Sequence, residues 1–151
     1  MEPKLYTIVY CSRNLIHGNE AEVNRELQLI LASSRKNNPR KNVTGALLYN
    51  GGSFAQVLEG PLEAIGQTFE IIQRDQRHSE VTVVQSGPIP ERQFGEWSMA
   101  FAGNSSMEGT PIATAAFEAV FARTADAGEQ MLTLLHGLIV SEDEWVLLDV
   151  A

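Results

Sequence analysis

The chain changes its hydrophobic period several times, and each change marks an element. Leu5 to Ser12 alternates and is rich in β-formers, which predicts a first strand. Tyr6, Ile8, Tyr10 and Ser12 share one face of it; Leu5, Thr7, Val9 and Cys11 share the other. Asn19 followed by Glu22 has the spacing of a helix cap and its third-position acid. Val23, Leu27, Ile30, Leu31 and Ser34 then fall at helical spacing, and Pro39 ends the run. Residues 43–60 read as a strand, a Gly51-Gly52 turn and a second strand. Pro61 sits well at the first turn of a second helix, whose stripe is Leu62, Ile65, Phe69 and Ile72 and whose end lies near Asp75. A fourth strand is expected over about Glu80–Ser86, before Pro88 and Pro90. A short fifth strand is expected over about Trp97–Ala102.

This order, βαββαβ plus one strand, predicts an α+β ferredoxin-like sandwich with both helices on one sheet face. Gly103 to Gly109 reads as a small-polar linker. Two C-terminal helices are expected beyond it, about Ile112–Thr124 and Ala127–Val140. Their apolar stripes (Phe117, Val120, Phe121; Met131, Leu134, Leu135, Leu138) can cover the open sheet face or dock a second subunit. Residues 1–103 are therefore expected as one domain and 104–151 as an acidic helical cap.

Composition narrows the function. The chain has 151 residues, a hydrophobic fraction of 44% and a net charge of −8. The charge is uneven: residues 1–103 hold 10 Lys and Arg against 11 Asp and Glu, whereas 104–151 hold 1 against 8. An acidic chain is a poor default partner for nucleic acid. No apolar run approaches the about 20 residues needed to span a bilayer. Met1-Glu2-Pro3-Lys4 leads directly into strand pattern, so a leader is not expected. Cys11 is the single cysteine, which makes a reducing cytoplasm the natural compartment. His17, His78 and His136 are scattered, with no HxxH, HExxH or CxxC spacing, so a metal site is not expected. GxSxG and GxGxxG are absent.

One residue breaks the strand pattern. Gln56 lies between Phe54 and Leu58 on an apolar face, where an amide needs a partner from protein, water or ligand. Strands 1 and 3 are adjacent and central in this fold, which brings Tyr10 and Gln56 within reach. Two polar clusters end the helices: Ser34, Asn37 and Asn38 among Arg35, Lys36, Arg40 and Lys41, and then Arg74-Asp75-Gln76-Arg77-His78. Each alone reads as an ordinary charged helix end. Together, with Ile30 and Ile72 one turn inside, they can frame a flat apolar ring and hydrogen-bond its polar edge.

Six segments in series resemble the BLUF family, blue-light sensors using FAD. They are Leu5–Ser12, Ser34–Asn38, Val43-Thr44-Gly45, Phe54–Gly60, Asp75–His78 and Trp97-Ser98-Met99, covering about residues 4–102. The resemblance implies a non-covalent flavin between the two helices, FAD or in its place FMN or riboflavin. It implies Tyr10 as the photoactive tyrosine and Gln56 as the glutamine between it and the ring. Asn38, with Asn37 beside it, would hold the ring's polar edge. Asp75, Arg77 and His78 would meet it from helix 2, and Ile30, Ser34 and Ile72 would flank it. Trp97 and Met99 match the pair that responds to Gln56, with Ser12 a polar neighbour of that pair. Ile71 stands where some members carry a basic or imidazole side chain. The implied activity is a non-enzymatic blue-light photoreceptor acting on a separate effector, either a cyclic-nucleotide-related enzyme or a transcriptional regulator. A cytoplasmic homo-oligomer is expected, with no nucleic acid or membrane bound. A small flavin oxidoreductase and a pigment-free ferredoxin-like binding module are the competing readings.

Overall fold

The computed structural model describes residues 4–50, 52–95, 98–104, 117–123 and 125–140. In chain order the elements are β1 (Leu5–Asn14), α1 (Glu20–Asn37), a 3-10 turn (Pro39–Lys41), β2 (Thr44–Asn50) and β3 (Ser53–Pro61). They continue with α2 (Leu62–Gln73), β4 (His78–Ile89), β5 (Ala100–Asn104), α3, described over 117–121, and α4 (Ala127–Val140). The sheet order is β4-β1-β3-β2-β5. The first four strands pair antiparallel, as the expected sandwich requires, and β5 adds to β2 in parallel.

Local chemistry explains the elements. Asn19 Oδ1 accepts from the Glu22 amide at 2.9 Å, and the Glu22 carboxylate accepts from the Asn19 amide at 3.3 Å, completing the capping box of α1. Gly45 is required in β2, because a Cβ there would lie 2.0 Å from the Val57 carbonyl oxygen of β3. β4 runs through Pro88 to Ile89, beyond the expected end at Ser86. It is an edge strand, where a proline without a backbone donor is tolerated.

Each sheet face has its own core. On one, Val23, Leu27 and Leu31 of α1 and Ile65 of α2 pack on Leu47, Phe54 and Leu58. On the other, Val9, Cys11, Ala55 and Val57 meet Phe117 and Val120 of α3 and Ala127, Met131 and Leu135 of α4. The C-terminal stripes thus cover the second face of their own chain. The stripe argument for a second copy loses its basis among the described residues. No helix among the described residues is long and apolar enough to cross a membrane.

β5 starts at Ala100, three residues later than expected. Trp97 lies outside the described residues. Ser98 and Met99 precede the strand because their carbonyls go to side chains of α1 instead of the β2 ladder.

Candidate functional site

Register puts Tyr10 directly opposite Gln56. Their side chains point to the α1/α2 face and are 3% and 4% exposed, so their polar atoms must satisfy one another or a ligand. The Tyr10 hydroxyl donates to Gln56 Oε1 at 2.5 Å. Burial, with smaller contributions from Cys11 and Asp75, raises the Tyr10 pKa far above the ordinary tyrosine value. The phenol therefore stays protonated and is the donor. In this arrangement Gln56 Oε1 faces Tyr10, and Nε2 faces the Met99 sulfur at 3.5 Å. A thioether is a weak acceptor, so the buried Nε2 is poorly satisfied.

A cleft of about 170 Å³ opens above this pair, between the C-terminal ends of α1 and α2. From α1 and the turn after it come Ile30, Ser34, Asn37, Asn38 and Lys41; from the end of α2 come Ile72, Asp75, Arg77 and His78. Tyr10, Gln56 and Phe54 are among the residues of its floor. Every expected cofactor-contacting residue therefore lines one cleft. Asn37 Nδ2 bonds Ser33 Oγ at 3.3 Å, and the buried Asn38 Nδ2 donates to the Ser98 carbonyl at 2.8 Å.

His78 is held by both ring nitrogens, Nε2 at 2.7 Å from the Ile72 carbonyl and Nδ1 at 2.7 Å from Ser12 Oγ. A carbonyl only accepts, so Nε2 carries a proton, and in the neutral ring Nδ1 accepts from Ser12. Ser12 thus meets His78; its described partner is not Met99. Arg77 forks onto Asp75, with Nε–Oδ1 at 2.9 Å and Nη2–Oδ2 at 2.6 Å, and reaches Glu26 at 3.4 Å. The Arg77 hydrogen bonds hold the Asp75 carboxyl below its ordinary pKa, and the same contact raises that of Arg77.

Cys11 faces the opposite core, and burial pushes its thiol up to about 12. It packs fully buried in that core, an environment that disfavours the thiolate. No group of three or more His, Cys, Asp or Glu among the described residues could hold a metal ion.

The residues suit a flavin. Ile30 and Ile72 give apolar walls from opposite helices. Asn37, Asn38 and Gln56 offer both donors and acceptors to a heterocyclic edge of N–H and C=O groups, and the weakly satisfied Gln56 Nε2 is a donor in reserve. Sequence reasoning missed Arg35, read only as a dipole cation, whose Nε donates to the Met99 carbonyl at 3.1 Å. Its one available signal was its position three residues before Asn38, on the same helix face. In the lining it missed Ser33 and Thr68, and it named Lys41 only as a helix-end cation.

Comparison with known proteins agrees with this geometry. The family described as BLUF, sensors of blue-light using FAD, matches residues 5–100. The chain is 36% identical over 78 residues to the photoactivated adenylate cyclase subunit beta of Euglena gracilis, covering 51% of this chain and 9% of that protein. It is 32% identical over 95 residues to the blue light- and temperature-regulated antirepressor BluF of Escherichia coli (strain K12), covering 63% of this chain and 23% of that one. The match thus spans less than a quarter of the length of either curated relative. The dark-state structure of BlrB, a BLUF protein, superposes with a TM-score of 0.71 at 29% identity, covering 93% of this chain and 98% of that chain. BLUF domains are light sensors and are not themselves enzymes. From residue 5 to residue 100, and in the cleft those residues build, this chain belongs to the BLUF family of blue-light sensors using FAD.

Proposed function

We propose that this chain binds FAD non-covalently in the cleft between α1 and α2 and signals blue light through a Tyr10–Gln56 hydrogen-bond switch. The observation that carries this reading is the buried 2.5 Å bond from the Tyr10 hydroxyl to Gln56 Oε1 on the cleft floor. FAD would supply a ring that absorbs blue light and, once excited, accepts an electron. Tyr10 is the oxidisable side chain, and its proton is already aimed at Gln56. Oxidation makes the phenol strongly acidic, so the proton moves along that bond to Oε1. When electron and proton return, Gln56 is left rotated or tautomerised.

Rotation has a mechanical consequence. It turns Nε2 toward Tyr10 and brings Oε1 to the Met99 sulfur. Two acceptors then face each other where a donor and an acceptor stood. Met99 loses its reason to stay, and the disturbance passes to β5 and to the segment holding Trp97. Residues 1–103 act as the sensor and 104–151 as an acidic cap that presents the signal in the cytoplasm. The receiver is a separate effector. The Euglena relative is named as an adenylate cyclase subunit and the E. coli relative as an antirepressor, which supports a cyclic-nucleotide enzyme or a transcriptional regulator.

The test is an absorption spectrum in darkness and after blue light. The wild type is expected to show a flavin band that shifts slightly to the red and recovers in the dark. Tyr10→Phe and Gln56→Leu are each expected to bind flavin and lose that shift. A full shift in either variant removes that residue from the switch.

A further inference from the structure

Met99 reaches Gln56 from a stretch of chain anchored on both sides. Upstream, the buried Glu59 carboxylate accepts from the backbone amides of Gln93 at 2.7 Å and Phe94 at 2.9 Å. Arg92 ties the same loop to β2 and β3 through Thr44 Oγ1, the Glu59 carbonyl and the Asn42 carbonyl, at 2.7, 3.0 and 2.8 Å. Downstream, two donors from the last turn and cap of α1 take consecutive carbonyls. Asn38 Nδ2 takes that of Ser98 at 2.8 Å, and Arg35 Nε takes that of Met99 at 3.1 Å. The sheet ladder begins only at Ala100, opposite Ala46. Immediately before β5, these α1 side chains hold the backbone that aims Met99 at Gln56.

Of the two donors, Asn38 lines the flavin cleft and Arg35 does not. Arg35 is half-buried, and its guanidinium is partly stripped of water; burial lowers its pKa from the ordinary arginine value. A charge-assisted bond in such a place is stronger than a neutral one. We infer that Arg35 is a positioning residue, a latch on the Met99 carbonyl that retains the dark arrangement of the segment entering β5 and so sets the lifetime of the lit state. The inference rests on the Tyr10–Gln56 switch proposed above. The side chain of Met99 moves when the amide rotates, and its backbone must strain or release the latch. The returning protein re-forms that bond, and its attraction draws the segment back.

The experiment uses the full chain loaded with FAD and compares wild type, Arg35→Ala and Arg35→Lys. Arg35→Ala is expected to keep the dark flavin spectrum and the full red shift. Its lit state should decay about ten- to a hundredfold more slowly, the range expected when a hydrogen bond to a charged group is lost. Hydrogen exchange over residues 98–104 in darkness should rise to the level the wild type reaches only in light. Arg35→Lys keeps a cation able to reach one carbonyl and should fall between the two. A decay within about twofold of wild type, with unchanged dark exchange, overturns the latch. So does an Arg35→Ala protein that binds no flavin, because Arg35 would then be needed for the site itself. A wild type without any red shift sinks the photoswitch instead, which separates the two failures.

Discussion

Two buried polar side chains stand three residues apart on β3 and face opposite sides of the sheet. Glu59, on the α3/α4 side, is 1% exposed and accepts from the Gln93 amide, the Phe94 amide and the Thr44 hydroxyl at 3.2 Å. Gln56, on the α1/α2 side, is equally buried but has one strong bond, to Tyr10, and one weak one, to sulfur. Every alternative arrangement of Glu59 loses bonds, so it is an anchor. Gln56 can exchange its two ends at small cost, so it can be a switch. Burial alone decides neither role; the degree of satisfaction does.

The largest expected effect comes from breaking the anchor. Glu59→Ala leaves the buried Phe94 amide, the more exposed Gln93 amide and the Thr44 hydroxyl without their acceptor, and should cost about 3 kcal/mol in denaturant unfolding. Glu59→Gln should cost less, because one amide oxygen remains, but its NH2 then faces a backbone donor. A loss below about 1 kcal/mol for Glu59→Ala would mean that the loop is held elsewhere, and the contrast with Gln56 would fail.

A smaller effect, with a distinctive pattern, is expected at the switch. Tyr10→Phe strands Gln56 Oε1, and Gln56→Leu strands the Tyr10 hydroxyl, each costing about 1 to 2 kcal/mol. The double variant removes both polar ends and should lie near the wild type, so the two losses should not add. Unfolding of the flavin-free proteins measures this without the photochemistry. Additive losses would mean that Gln56 is tied to more than Tyr10 and Met99, as an anchor would be.

This contrast was half legible in the sequence. Strand parity placed Tyr10 and Gln56 on one face, and a lone amide between Phe54 and Leu58 announced an unmet need. Asn19 and Glu22 announced the start of α1, and the stripe through Met131 and Leu135 announced α4 with its observed bounds. Glu59 could not be read the same way, because its two closest partners are backbone amides more than thirty residues away. The late start of β5 was hidden for a similar reason: the donors to Ser98 and Met99 sit at positions 35 and 38. Ser12 and His78 met because β4 bulges against β1, with a register shift between Cys11 and Arg13 that no local pattern records. What the sequence hid was long-range pairing to the backbone, which leaves no period to read.

Asp75 supplies a third, intermediate case: well satisfied but wet. Arg77 grips it with two of its nitrogens, yet the two side chains are 29% and 36% exposed. The folded pKa of Asp75 is depressed, chiefly by the Arg77 hydrogen bonds. The pair therefore contributes its full stability above the unfolded carboxylate value of about 3.9, and that contribution fades as pH falls through the lower folded value. Solvent screening limits it to about 0.5 to 1 kcal/mol. Wild type should thus be more stable than Asp75→Asn at pH 7. The gap should narrow below about pH 4 and shrink in high salt. Denaturant midpoints of both proteins at the two pH values measure it. A gap independent of pH would mean that Asp75 acts through the shape of its hydrogen bonds and not its charge. It would then be an anchor as Glu59 is, on the cleft side of the sheet, and the end of α2 would be as rigid as the loop before Met99.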